Sequence, residues 1–316
     1  VEGGQGGVAG PGGEVRGVLE RGVPLRDYTT FRIGGPAQYL AVPSSVEEFV
    51  RLEEWARREG LPFLLLGGGS NLLVGDGGFP GLVVLTRELM EVEVDGHRIR
   101  AQGGVFLGLL SAFALRGGLS GLEPLAGIPG TLGGALVMNA GAFGRTLGDL
   151  VEEVEVLVDG KVEVLRGVEV DWGYRTSSLK GSTVVGATLK LVPGDGGKIR
   201  EDMVRFARLR RQKQPLDFPS AGSVFKNPPG HSAGRLIDEA GLKGARVGDA
   251  MVSPLHANFI VNLGQARARD VRLLVEVVKE RVRERFSISL EEEIVYAGVF
   301  EFGEDEDCAA AGGAFL

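Results

Sequence analysis

Glycine constrains this chain more than any other residue: 52 of its 316 residues are glycine, about one in six and roughly twice the ordinary share. Many sit beside short apolar runs, as where Phe63-Leu64-Leu65-Leu66 leads into Gly67-Gly68-Gly69. In such places the backbone must turn tightly or come close to something, because a residue without Cβ permits both. Close approach to a phosphate-bearing cofactor is one reason for the pattern; economical loops are another.

Length suits two or three modest domains, and 43% hydrophobic with 24% charged residues is ordinary for a globular protein. The formal net charge of −7 disfavours a general nucleic-acid binder. No run of 18 apolar residues is present, so no membrane helix is expected. Val1 to Gly13 is glycine-rich and lacks the apolar stretch of a secretory signal. The single cysteine, Cys308, cannot close an internal disulfide, and His97, His231 and His256 are too scattered for a metal site. A reducing, cytoplasmic setting is expected.

Residues 1–17 and 304–316 read as flexible tails, leaving three units between them. The first, 18–85, reads as β-α-β. Ser45-Val46-Glu47-Glu48 forms a capping-box pattern before a helix whose apolar face is Val46, Phe49, Leu52 and Ala56. The second, 86–197, is rich in strands, with hairpin turns at Asp95-Gly96 and Asp159-Gly160 and a helix from Val105 to Arg116. The third, 198–303, opens with a basic helix from Ile199 to Gln212. It carries a long helix capped by Asp270 and closes with strands at Ser287–Leu290 and Ile294–Tyr296. An α+β fold is the expectation.

Five segments carry chemistry. Gly67-Gly68-Gly69-Ser70-Asn71 can converge its N–H groups on an anion, with Ser70 and Asn71 as extra donors; a plain strand-to-loop turn is an equal reading. No phosphate-binding G-x-x-x-x-G-K-[ST] occurs, and Leu72 stands where a Rossmann fingerprint needs its third glycine. The second segment, Gly127-Ile128-Pro129-Gly130-Thr131-Leu132-Gly133-Gly134, runs on to Asn139-Ala140-Gly141, small-residued throughout. It suits contact with a flat or phosphate-bearing ligand, or helix packing. Two such segments some 60 residues apart could grip opposite sides of a dinucleotide. Tyr174-Arg175 suits bidentate carboxylate recognition, although a lone surface Arg is more often a salt bridge. Ser223, in Gly222-Ser223-Val224-Phe225-Lys226-Asn227, lacks the surroundings of a nucleophile but can donate a proton. Glu291-Glu292-Glu293 precedes a strand and partly reads as a solvated edge.

Together these segments resemble the MurB family of UDP-N-acetylenolpyruvoylglucosamine reductases. The likeness runs from about Pro24 to Gly298 through PLRDYTTFRIGGPAQYL, LLLGGGSNLLVGDGGFPGLVV, GLEPLAGIPGTLGGALVMNAGAFG, YRTSSL, QPLDFPSAGSVFKNP, AGLKG, HANFIVN and LEEEIVYAG. The short stretch between Tyr174-Arg175 and Thr183 resembles the family type without an extra tyrosine loop. The resemblance implies a two-subdomain FAD-binding fold of the vanillyl-alcohol-oxidase (PCMH) type plus a C-terminal α+β substrate domain. It implies noncovalent FAD, NADPH as hydride donor, and reduction of the enolpyruvyl ether of UDP-N-acetylglucosamine to UDP-N-acetylmuramate for peptidoglycan. A monomer is expected.

Carried over by motif, Arg175 matches the catalytic arginine, Ser223 the proton donor and Glu293 the catalytic acid, chosen over Glu292 by register. Tyr174, Arg175, Lys226 and Asn227 match substrate positions. Gly67, Gly68, Gly69, Ser70, Asn71, Gly127, Pro129, Gly130, Thr131, Gly133, Gly134, Asn139 and Gly141 are expected to line FAD. The implied chemistry has Arg175 stabilising an enediolate and Ser223 protonating carbon. Glu293 is expected to be neutral in the reactive complex, since an ionised acid would repel the developing charge. A flavin oxidase on the same fold would need the glycine loops but not YR, GSVFKNP and the terminal acid together. A flavin-free nucleotide-binding regulator would lack the visible band of flavin. His256 is expected to be structural, Trp55 and Trp172 to serve packing, and the role of Gln214 is open.

Overall fold

The structure, a computed structural model, describes residues 19–300, so both expected tails lie outside the described residues. Three sheets organise the chain. The first runs in the order Glu20–Pro24, Pro36–Ala41, Phe79–Leu85, Phe63–Leu66, parallel except at its first pair. Helix α1, Val46–Arg58, packs on it by burying Phe49, Leu52 and Ala56. Ser45 accepts from Glu48 N–H as its capping pattern predicts, but the Glu48 carboxylate turns to the N–H and hydroxyl of Ser44.

The second sheet is antiparallel, in the order Lys161–Arg166, Val151–Val158, Thr183–Lys190, Arg98–Gln102, Val92–Asp95. Both expected hairpins are there. Helix α2, Leu107–Arg116, starts two residues later than its apolar run suggests, because Val105 and Phe106 flank the second glycine segment: Leu132 N–H donates to Val105 O, and Phe106 bridges Thr131. Helix α3, Leu132–Val137, lies within that segment.

Helix α4, Gly196–Lys213, leads to the third sheet: Ser220–Ser223, Phe259–Asn262, Ala250–Val252, Arg246–Val247, all antiparallel. Helix α5, Ala233–Glu239, and helix α6, Ala268–Phe286, cover it. The expected cap of α6 needs correction. Asp270 is its third residue and accepts from Arg267 N–H (2.9 Å), while Asp76 of the first unit receives the N–H groups of Ala268 (2.9 Å) and Arg269 (3.0 Å). No strand forms at Ser287–Leu290: Ser287 ends α6 in the left-handed region (φ 56). The last strand, Val295–Ala297, leaves the third unit and pairs in parallel with Leu72–Val74, the strand after the first glycine loop.

Each sheet has its own core, but not its own chain segment. The core of the third sheet includes fully buried Phe31 and Leu73, and the first sheet's outer core takes in Leu157 and Val185 from the second. No described helix is long and apolar enough to cross a membrane.

Candidate functional site

The three units meet at one cleft of about 2980 Å³, roughly three times the upper end of ordinary ligand pockets at about 1,000 Å³. Both glycine segments line it, but side by side. Gly68 packs so close to Gly130 that a Cβ would come within 2.9 Å of its Cα, and Gly67 lies against Thr131 Oγ1. Ser70 Oγ donates to Pro129 O at 2.7 Å. The segments therefore form one wall of bare main chain; they do not hold a ligand from opposite sides. Gly67, Gly68 and Gly130 serve this contact between segments. Gly134 is different: a Cβ there would meet nothing nearer than Thr131 Oγ1 at 3.7 Å, and the residue lines the cleft.

Of the positions expected at a cofactor, Gly67, Gly68, Gly69, Ser70, Asn71, Pro129, Gly130, Thr131, Gly133, Gly134 and Gly141 line the cleft. Gly127 and Asn139 do not. Gly127 abuts the Arg210 side chain. Asn139 is 4% exposed and braces a turn: its amide donates to Gly173 O (2.9 Å) and its Oδ1 accepts from Gly148 N–H (3.0 Å).

That brace supports the hairpin of Trp172–Gly173 and Thr176–Ser177, whose tip carries Arg175. Arg175 has φ 57, a left-handed conformation that costs a non-glycine residue on the order of 1 kcal/mol or more. Its guanidinium lies against Gly141, where a Cβ would meet Nη1 at 3.4 Å. Arg175 Nε pairs with Glu293 Oε1 at 2.8 Å; the side chains are 26% and 14% exposed.

Glu293 is fixed through its backbone. Its N–H donates to Val224 O (2.7 Å), beside Ser223, and its carbonyl accepts from Asn71 Nδ2 (2.9 Å). Burial pushes the Glu293 carboxyl above the ordinary glutamate value, opposed by Arg175 and Lys226. Ser223 ends the strand Ser220–Ser223 after Gly222 (φ 76) and lines the same cleft. Glu292, the neighbour in register, instead pairs with Lys279 of α6 at 3.0 Å.

The expected substrate positions divide. Lys226 lines the cleft and pairs with Glu291. Tyr174 and Asn227 do not line it. Tyr174 is 54% exposed, with the Arg175 guanidinium 5.2 Å from its ring centre and its hydroxyl 3.5 Å from Asn227 N. Asn227 Oδ1 receives the N–H of Ala233 at the start of α5. His256 sits outside the cleft; its Nδ1 accepts from Asn258 N–H, and burial lowers its pKa. Trp55 packs edge-on to Tyr39, and Trp172 donates to Gly167 O.

Sequence reasoning missed Arg210. It lines the cleft from α4, with Gln214 Oε1 3.2 Å away, and burial lowers the pKa of its guanidinium. The only signal was the basic run before Pro215, which does not say which arginine turns inward.

These residues fit a flavin dinucleotide. The wall is main chain and small side chains, the glycine loops carry no carboxylate, and at Gly134 a side chain would intrude where the cleft opens. A bare-walled cleft with an arginine–carboxyl pair fixed over it can hold such a cofactor beside an anionic substrate.

A profile described as "FAD binding domain" matches residues 37–166, and one described as "UDP-N-acetylenolpyruvoylglucosamine reductase, C-terminal domain" matches residues 214–297. Curated relatives of that name are 53% identical over 273 residues in Moorella thermoacetica (86% of this chain, 90% of that one) and 46% over 290 in a Synechococcus species (90% and 93%). The crystal structure of the reductase from Thermus caldophilus superposes with a TM-score of 0.78 at 46% identity, covering 89% of this chain and 99% of that one. The chain belongs to the MurB family of UDP-N-acetylenolpyruvoylglucosamine reductases.

Proposed function

We infer that this chain reduces the enolpyruvyl ether of UDP-N-acetylglucosamine to UDP-N-acetylmuramate for peptidoglycan, using FAD and NADPH. Its relatives of that name span nearly the whole chain. The observation that carries the reading is the Arg175–Glu293 pair, held over the cleft within reach of both flavin-loop and third-unit backbone.

FAD held along the glycine wall would supply hydride chemistry, with NADPH as the source and the enolpyruvyl double bond as the acceptor. Arg175 offers a permanently charged fork to the substrate carboxylate, where charge builds as the double bond is reduced. In taking that fork the substrate displaces Glu293. The Arg175 attraction that lowers the Glu293 pKa is then lost, burial is opposed by Lys226 alone, and the carboxyl keeps a proton. Neutral Glu293 donates a hydrogen bond to the substrate carboxylate where an ionised one would repel it. Ser223 Oγ delivers the proton that completes the reduced carbon. Lys226 faces the sugar nucleotide, and Tyr174 with Asn227 joins the hairpin to the third unit at the rim.

The proposal includes a cytoplasmic monomer, and three units divided at 18–85, 86–197 and 198–303, which the three sheets support. Anaerobic mixing tests the reaction: NADPH should bleach the flavin band, and the enolpyruvyl sugar nucleotide should restore it. A reduced enzyme that the sugar nucleotide leaves bleached would refute the assignment.

A further inference from the structure

Asn71 was expected to face the cofactor, yet its side chain points elsewhere. Its carbonyl accepts from Val295 N–H and its Nδ2 donates to Glu293 O, both at 2.9 Å. From Asn71 onward the chain pairs in parallel with the last strand: Leu72 with Val295, Leu73 with Tyr296, Val74 with Ala297. Upstream the glycine loop turns toward Pro129 and Gly130, so its main chain cannot extend the ladder to residue 293. The Asn71 amide makes that bond in its place. The chemistry explains the residue type: a carbonyl needs a donor, aspartate would set one oxygen against another, and serine is too short.

Glu293 is thus held at three points by three parts of the chain. Its carbonyl is held by the glycine loop, its N–H by Val224 next to Ser223, and its carboxylate by Arg175. Without the Asn71 amide, the carbonyl bond is lost and the segment before Val295 is held from the third unit alone, by the bonds of Glu293 N–H to Val224 O and Lys226 N–H to Glu291 O. A shift of about 1 Å at a reacting group can cost on the order of 100-fold in rate.

We propose that Asn71 is a positioning residue for the reaction: it holds the Glu293 carbonyl and so aims the acid at Arg175, linking the flavin loop to the proton-holding group. This rests on the functional reading above for the role of Glu293. Asn71→Asp, of equal volume but without the donor, and Asn71→Ala test it on the FAD-loaded protein.

Three results are expected. Both variants stay yellow and are reduced by NADPH within threefold of the wild-type rate. Reoxidation by the enolpyruvyl sugar nucleotide slows about 10- to 100-fold, and its alkaline limb moves to lower pH as Glu293 loosens toward solvent. Amide hydrogen exchange across residues 291–296 accelerates about tenfold or more. Asn71→Asp preserves the packing if Asn71→Ala does not fold.

Wild-type reoxidation, pH limb and exchange in a folded variant would overturn the proposal. So would loss of flavin with both half-reactions slowed alike, which would assign Asn71 to the cofactor. If the wild type itself is not reoxidised, the functional reading fails, while the exchange data still decide whether Asn71 holds 291–296.

Discussion

The start of α6 is completed by a residue from another unit, and that contact can be weighed. Four N–H groups at a helix start have no intrahelical partner. Here Asp270 serves Arg267, and Asp76, 192 residues upstream of Ala268, serves both Ala268 and Arg269. Asp76→Ala would leave those two donors without acceptors, at about 1 kcal/mol each. It would also remove a negative charge from the positive end of a 19-residue helix, worth about 0.3–1 kcal/mol more. The expected loss is about 2–3 kcal/mol. Asp76→Asn keeps one acceptor and should lose roughly half of that. Urea unfolding of the FAD-loaded protein, followed by far-UV circular dichroism, measures both. The loss should shrink with added salt in its charge component alone. A midpoint for Asp76→Ala equal to wild type within about 0.5 kcal/mol would refute the reasoning, as would Asp76→Asn being the worse of the two.

Other expectations follow from the cleft. Ser223→Ala should leave reduction by NADPH intact and slow reoxidation by the sugar nucleotide about 100-fold or more, read by stopped-flow absorbance; two intact half-reactions would remove Ser223 from the chemistry. Glu293 has a raised pKa, so between the ordinary carboxylate value and its own value the folded chain binds the extra proton and stability falls as pH rises. Glu293→Gln should flatten that decline in thermal melts and abolish the alkaline limb of reoxidation; an unchanged pH profile would show the limb belongs to another group. The two kinds of glycine should separate. Gly134→Val should fold but purify with little flavin, because its Cβ meets nothing closer than Thr131 Oγ1 at 3.7 Å and the side chain would fill the cleft. Gly69→Val, at φ 58 and against Tyr28 O, should lower the melting temperature itself. Equal flavin content in wild type and Gly134→Val would show that the dinucleotide does not lie along that wall.

Local features were legible in the sequence. The Ser45 cap, the apolar face of α1 and the Asp95-Gly96 and Asp159-Gly160 hairpins appear as the residues predict, because each is decided within a few neighbours. What failed was decided at a distance. The start of α6 depends on Asp76, and the glycine segments meet through Gly68 and Gly130, 62 positions apart (130 − 68). The bond from Asn71 to Glu293 spans 222 positions, and nothing near either residue announces it. Ser287 illustrates another limit: a polar residue after a long helix can stop it in the left-handed region as readily as start a strand. Arg175, Ser223 and Glu293 were singled out by family likeness; the pairing of Arg175 with Glu293 is a matter of folding alone.

The shared interior of the third sheet bears on how the enzyme can be handled and how it can move. Phe31 and Leu73, contributed by the first unit, are wholly enclosed among residues of the last hundred, and Thr30 and Ser220 exchange hydrogen bonds along the same seam. A fragment cut near residue 198 would carry an open greasy socket and should precipitate unless the missing piece is supplied in trans. The same seam sets the cost of any opening between the first and third units, since parting them there would bring Phe31 and Leu73 into water.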